Sequence, residues 1–145
     1  MISSEERSLR DAVSPFLCEE LFICDLDPKL AKKIYLIADK QIFLKDYAWD
    51  HCNFYRETDH AYFEACGQPI RKTIPAFTMA DMINILPPFM LIKNNDVDYE
   101  ASLDTYYTEI DVQKDRRAPD VLARLAIDML KKKFLIPAAV NHMLS

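Results

Sequence analysis

The chain has 145 residues and a formal charge of −5: the size of one domain, and too acidic, without a long basic run, to track phosphates by charge alone. Half of its residues are hydrophobic, enough apolar surface to offset the entropy of ordering, which excludes wholesale disorder. No apolar run approaches the roughly 20 residues that cross a bilayer, and the opening MISSEERSLRDA lacks the apolar centre of a secretory signal, so a cytoplasmic protein without membrane attachment is expected.

In chain order, Ser4 to Val13 has helix-forming composition and is expected to end at Ser14-Pro15. Cys24-Asp25-Leu26-Asp27-Pro28 reads as an end followed by a start, with Asp27 as N-cap and Pro28 at the first helical position. Residues 1–26 are therefore expected as a helical N-terminal appendage to a single domain spanning 1–145. A helix from Pro28 to Ala38 would place Leu30, Ile34 and Ile37 inward and Lys29, Lys32 and Lys33 outward. Residues 41–49 and 60–66, rich in aromatic and branched side chains, read as a pair of strands joined by a long connection from Asp50 to Asp59.

Met79, Met82, Ile83 and Leu86 recur at helical spacing behind the N-cap Thr78, and Pro87-Pro88 stops that helix. Phe89 to Lys93 is expected as a strand, Lys93 to Leu103 as a polar loop, and Asp104 to Val112 as a further strand. Ala118-Pro119-Asp120 opens a helix running to about Phe134, with Val121, Leu122, Leu125, Ala126, Met129 and Leu130 as its apolar stripe. On its other face Asp120, Arg124, Asp128 and Lys132 stand one turn apart, spaced for successive ion pairs. The sum is an α+β fold: a short, mostly antiparallel sheet covered on one face by amphipathic helices at 28–38, 79–86 and 119–134.

Gly67 is the only glycine. The phosphate-binding loop of nucleotide hydrolases, the dinucleotide turn, the kinase glycine loop and the nucleophile elbow all need glycines for close backbone approach or positive φ, so none of these signatures is present. No catalytic residue and no cofactor follow from the sequence.

The densest polar stretch, residues 46–64, includes His51, Cys52, Asp59 and His60, the ligand types of a zinc or manganese site. Their spacing matches no metal motif, and a solvated aromatic loop is the favoured reading, with a metal-dependent enzyme or metal binder as the alternative. Pairing Cys52 or Cys66 with His51 or His60 would make a thiolate and base, but this acidic stretch lacks the electropositive setting a thiolate needs. Cys18, Cys24, Cys52 and Cys66 show no CxxC pair and read as free buried thiols, Cys18, Cys24 and Cys66 having apolar or aromatic neighbours.

The alternating run Asp96, Asp98, Glu100, Ser102, Asp104 resembles a calcium loop, yet Ala101 stands where that loop needs glycine and Tyr107 where it needs a bidentate glutamate. Trp49, Phe54, Tyr55, Tyr62, Tyr106 and Tyr107 with Arg56, Arg71 and Lys72 could stack and clamp single-stranded nucleic acid, a partner the net acidity disfavours. Lys131, Lys132 and Lys133 close a helix where cations complement its dipole.

From Ile74-Pro75-Ala76-Phe77-Thr78 through Ile85-Leu86-Pro87 to the Ala118-Pro119-Asp120 helix, the chain resembles small uncharacterised proteins encoded by bacteriophages and prophages of gut bacteria. The resemblance spans about residues 74–134, transfers no activity or site residue, and implies an accessory protein acting by binding. Leu135, Ile136, Val140, Met143 and Leu144 make an apolar final segment, which should cover the core or a second subunit; a homodimer or another protein partner is expected.

Overall fold

A computed structural model of the chain describes residues 11–46, 70–94, 97–103 and 109–144. Helix α1 (Pro15–Ile23) begins where a helix end is expected: Ser14 is its N-cap and Pro15 its first residue. Both signals are as compatible with a start as with a stop, because proline at the first helical position lacks only a donor that would be unpaired anyway. Of the expected helix at 4–13, residues 4–10 lie outside the described residues and Asp11 is helical; Ala12 forms a single antiparallel bridge with Thr78, and the Val13 amide donates to the Phe77 carbonyl at 2.9 Å. Val13, Leu17, Cys18, Leu21 and Leu26 are all part of the central core.

The expected helix at 28–38 is instead a short 3-10 turn, Pro28–Leu30, followed by strand β1 (Lys33–Ile37). The end-and-start signal at Asp27 is real: its carboxylate accepts from the Lys29 amide at 2.9 Å. Beyond that turn, however, Ile34-Tyr35-Leu36-Ile37 is a β-forming run, and tertiary pairing on both sides settles its state. β1 lies between β2 (Ile42–Asp46) and β3 (Lys72–Ala76), antiparallel to both. Tyr35 faces the main core, while Ile34 and Leu36 on the other face are fully buried too, a burial on both faces that erases the alternation expected of a half-exposed strand. β2 covers the first part of the strand expected at 41–49; the strand expected at 60–66 lies outside the described residues. Pro75 stands opposite Ile34 in β3, which among the described residues has a strand partner on one side only, the place where a sheet tolerates proline.

Helix α2 (Met79–Ile85) and strand β4 (Phe89–Asn94) fall where expected. The polar loop expected at 93–103 is largely strand β5 (Asp98–Leu103), paired with β4 from Phe89↔Leu103 to Asn94↔Asp98. Its acidic residues alternate with Tyr99, Ala101 and Leu103, which turn toward the core. That two-residue period is a strand's, masked in the sequence by the likeness to a calcium loop. Of the strand expected at 104–112, residues 104–108 lie outside the described residues; Glu109 and Ile110 turn and bend, residues 111–112 are in no strand, and the third strand of this sheet, β6, is Gln113–Asp115. The fold is thus α+β, with its antiparallel strands divided between two three-stranded sheets, β2-β1-β3 and β4-β5-β6, rather than gathered in one.

Helix α3 (Ala118–Lys131) sits among α1, α2, β5 and β6. Its apolar stripe is the expected one, widened by Ala123 and Ile127, so that the helix is buried on most of its circumference. Of the expected one-turn ion pairs, Asp128–Lys132 forms at 3.2 Å, whereas Arg124 turns to Asp115 at 2.8 Å and Asp120 is drawn inward. The final helix, α4 (Pro137–Leu144), buries Val140. Asn141 fastens it to the turn after α1, accepting from the Asp27 amide at 2.9 Å and donating to the Asp25 carbonyl at 3.0 Å.

Two helix ends demand left-handed backbone in a chain almost without glycine. Asp25 (φ 70°) follows α1 and Lys133 (φ 64°) follows α3. In both, the next amide reaches back to close the last turn: Leu26 to the Leu21 carbonyl at 3.3 Å and Phe134 to the Met129 carbonyl at 2.9 Å. A β-carbon in this region costs on the order of 1 kcal/mol. Lys133→Gly should therefore raise unfolding free energy by about 0.5–1 kcal/mol, measured by chemical denaturation; a loss would mean that the lysine side chain outweighs the strain. Leu125 is fully buried in the middle of α3, and Leu125→Ala should cost about 2–5 kcal/mol in the same assay. A loss of a few tenths would contradict its central position.

Candidate functional site

Between the turn before β1 and helix α2 lies a groove of about 400 Å³. Leu30, Ile85 and Leu144 give it an apolar lining, and Lys32, Lys33 and Asn84 a polar one. Its shape follows from local sequence. The 3-10 turn lifts Leu30 toward α2, and α2 is held in place by a reciprocal capping box. The Thr78 amide donates to the Asp81 carboxylate at 2.8 Å, and the Asp81 amide donates to Thr78 Oγ1 at 3.3 Å. The Thr78 and Asp81 side chains are thereby spent on the helix. Lys33 reaches Asp46 at 2.7 Å, and this ammonium holds the Asp46 carboxyl below its usual range. Lys32, exposed, has no ion pair among the described residues. The groove thus offers apolar contact and charge.

A second polar cluster joins the starts of α1 and α3, with Asp120 buried and Ser14 and Arg117 partly buried. Asp120 accepts from the Ser14 amide at 2.7 Å and from the Ser14 hydroxyl at 2.5 Å. Arg117 donates to Ser14 Oγ at 2.8 Å and to the Ala12 carbonyl at 2.7 Å, and stands 3.4 Å from the Asp120 carboxylate. Alongside, the Tyr35 hydroxyl donates to the Val13 carbonyl at 2.6 Å and the Cys18 thiol to the same carbonyl at 3.4 Å. A hydroxyl hydrogen-bonded to a carboxylate suggests nucleophilic chemistry. Here, however, the Ser14 proton goes to a carboxylate committed to holding two helix starts together, and these hydrogen bonds include no histidine. Burial pushes the Cys18 thiol up to about 12 and raises the Tyr35 hydroxyl as well, so both stay protonated at neutral pH. Burial raises the Cys24 thiol too. Both are free thiols, Cys18 buried as expected and Cys24 only partly so, and Cys52 and Cys66 lie outside the described residues.

No protein-family model matches the chain, and no curated protein or solved structure matches it.

The metal candidates His51, Cys52, Asp59 and His60 lie outside the described residues, as do the thiol and imidazole pairings with Cys66. Among the described residues no group of three or more histidine, cysteine or acidic side chains converges on a metal site. Of the nucleic-acid cations, Arg71 pairs with Asp39, at 3.0 Å through its terminal nitrogen, and Lys72 with Glu19; the rest of that set is outside the described residues. Lys131 pairs with Glu20, and Lys132 reaches Asp128 and the Glu109 carbonyl, while Lys133 makes the left-handed helix end. The lysine run therefore closes α3 and ties it to its neighbours. Asp98, Glu100 and Ser102 alternate along β5 and do not wrap around a centre, and Glu100 stands 3.7 Å from Lys114 across the ladder; Asp96 and Asp104 of that run lie outside the described residues. The groove escapes a sequence reading because a helix over 28–38 puts Lys32 and Lys33 on an outer face. The available signal is the threonine and aspartate three apart at 78 and 81, which marks a capping box.

Asp81 gives the groove a measurable pH dependence. Burial pushes its carboxyl above the ordinary 3.8, against the lowering effect of the Thr78 hydrogen bonds and the Lys32 charge. Between 3.8 and that raised value the folded chain binds more protons than the unfolded chain, so stability falls as pH rises through the window, and the penalty is complete above it. Asp81→Asn keeps an acceptor for the Thr78 amide and removes the titration. Measured by urea unfolding from about pH 3 to pH 7, the variant should gain on the wild type as pH rises. A gap moving the other way would mean that the folded site favours the carboxylate.

Proposed function

We propose that this protein acts by binding rather than by catalysis: a cytoplasmic interaction protein, of the accessory kind carried by phages and mobile elements, that associates with itself through its C-terminal segment. The setting rests on the resemblance described above. The mode of action rests on one observation. The segment from Phe134 to Leu144 is anchored on one side by Leu135, Val140 and Asn141, yet Ile136 is 52% exposed, Met143 79% and Leu144 40%. Ile136, just before α4, and Met143 and Leu144 within it lie in water, which supports an interface. Among the described residues no helix is long and apolar enough to cross a membrane, so lipid burial of a spanning kind does not account for them. The groove and the polar cluster point the same way, since their carboxylates, hydroxyls and thiol are hydrogen-bonded within the fold.

Removing α4 altogether would also remove Val140 and Asn141, so charges placed on the exposed side test the reading more cleanly. The wild-type chain should sediment as a dimer at micromolar concentration, the commonest closed assembly. Ile136→Asp combined with Met143→Asp should give a monomer with unchanged circular dichroism. A wild-type chain that sediments as a monomer would overturn self-association.

A further inference from the structure

We draw no further inference here: the strongest candidate, the apolar patch that Met90 and Ile92 leave exposed on strand β4 at one edge of the β4-β5-β6 sheet, carries nothing because no feature of the described residues shows what covers it.

Discussion

Asp120 is a carboxylate taken almost entirely out of water at the start of α3, where it also serves the start of α1. Its oxygens accept from the amide and hydroxyl of Ser14, and Arg117 closes the group while reaching the Ala12 carbonyl. Burying such a charge alone would be prohibitive, and the fold offsets the cost with two neutral donors, one guanidinium and the positive end of a helix. The geometry consequently fixes where residues 12–15 lie against α3. From there the backbone of Val13 binds Phe77, and Tyr35 and Cys18 bind the Val13 carbonyl. A segment far from α3 in sequence is thus locked to the sheet β2-β1-β3 and to α2, and the core of Leu17, Leu21, Phe77, Met82, Leu122 and Leu125 closes around that lock.

The same interaction shows why some of the fold is legible in the sequence and some is not. Helices α2 and α3 carry their own signals, apolar residues at helical spacing behind Thr78 and behind Ala118-Pro119, and both form where those signals stand. Asp120 looks like a surface charge in the sequence, because one-turn spacing with Arg124 describes an isolated helix. Only the arrival of Ser14 from more than a hundred residues away gives that carboxylate its partners. β1 is obscured for a related reason. Both of its faces are buried, so the alternation that announces a strand is absent, and the lysines before it mimic a helix's outer face. β5 shows the converse, since its alternation is present but has the look of ligand spacing. The groove depends on all of these placements together and emerges only once β1 is a strand.

Scarcity of glycine, which excludes phosphate-binding loops, has a structural counterpart in the helix ends. With Gly67 as the one glycine of the chain, the left-handed positions after α1 and α3 fall to Asp25 and Lys133. Each is nonetheless tied in. The carbonyl of Asp25 receives Asn141, and Lys133 begins the segment that presents Phe134, Ile136 and α4. The strained ends therefore meet at the same region, where the turn after α1 and the helix after α3 are joined by one asparagine.

That junction bears on what the surface can do. A terminal helix held only by apolar packing on Val140 could slide or fray, and its exposed side chains would form no defined surface. Asn141 prevents this by bonding two backbone groups of a turn that is itself closed by the Leu26 and Ala31 amides. Ile136, Met143 and Leu144 are then presented from a fixed frame, with Leu144 placed on the wall of the groove. Preorganisation of this kind lowers the entropy lost on association, so a small apolar surface gains more from docking than the same side chains would on a loose tail. Asn141 thus joins the turn after α1 to the helix after α3 and fixes how the apolar side chains of that segment are displayed.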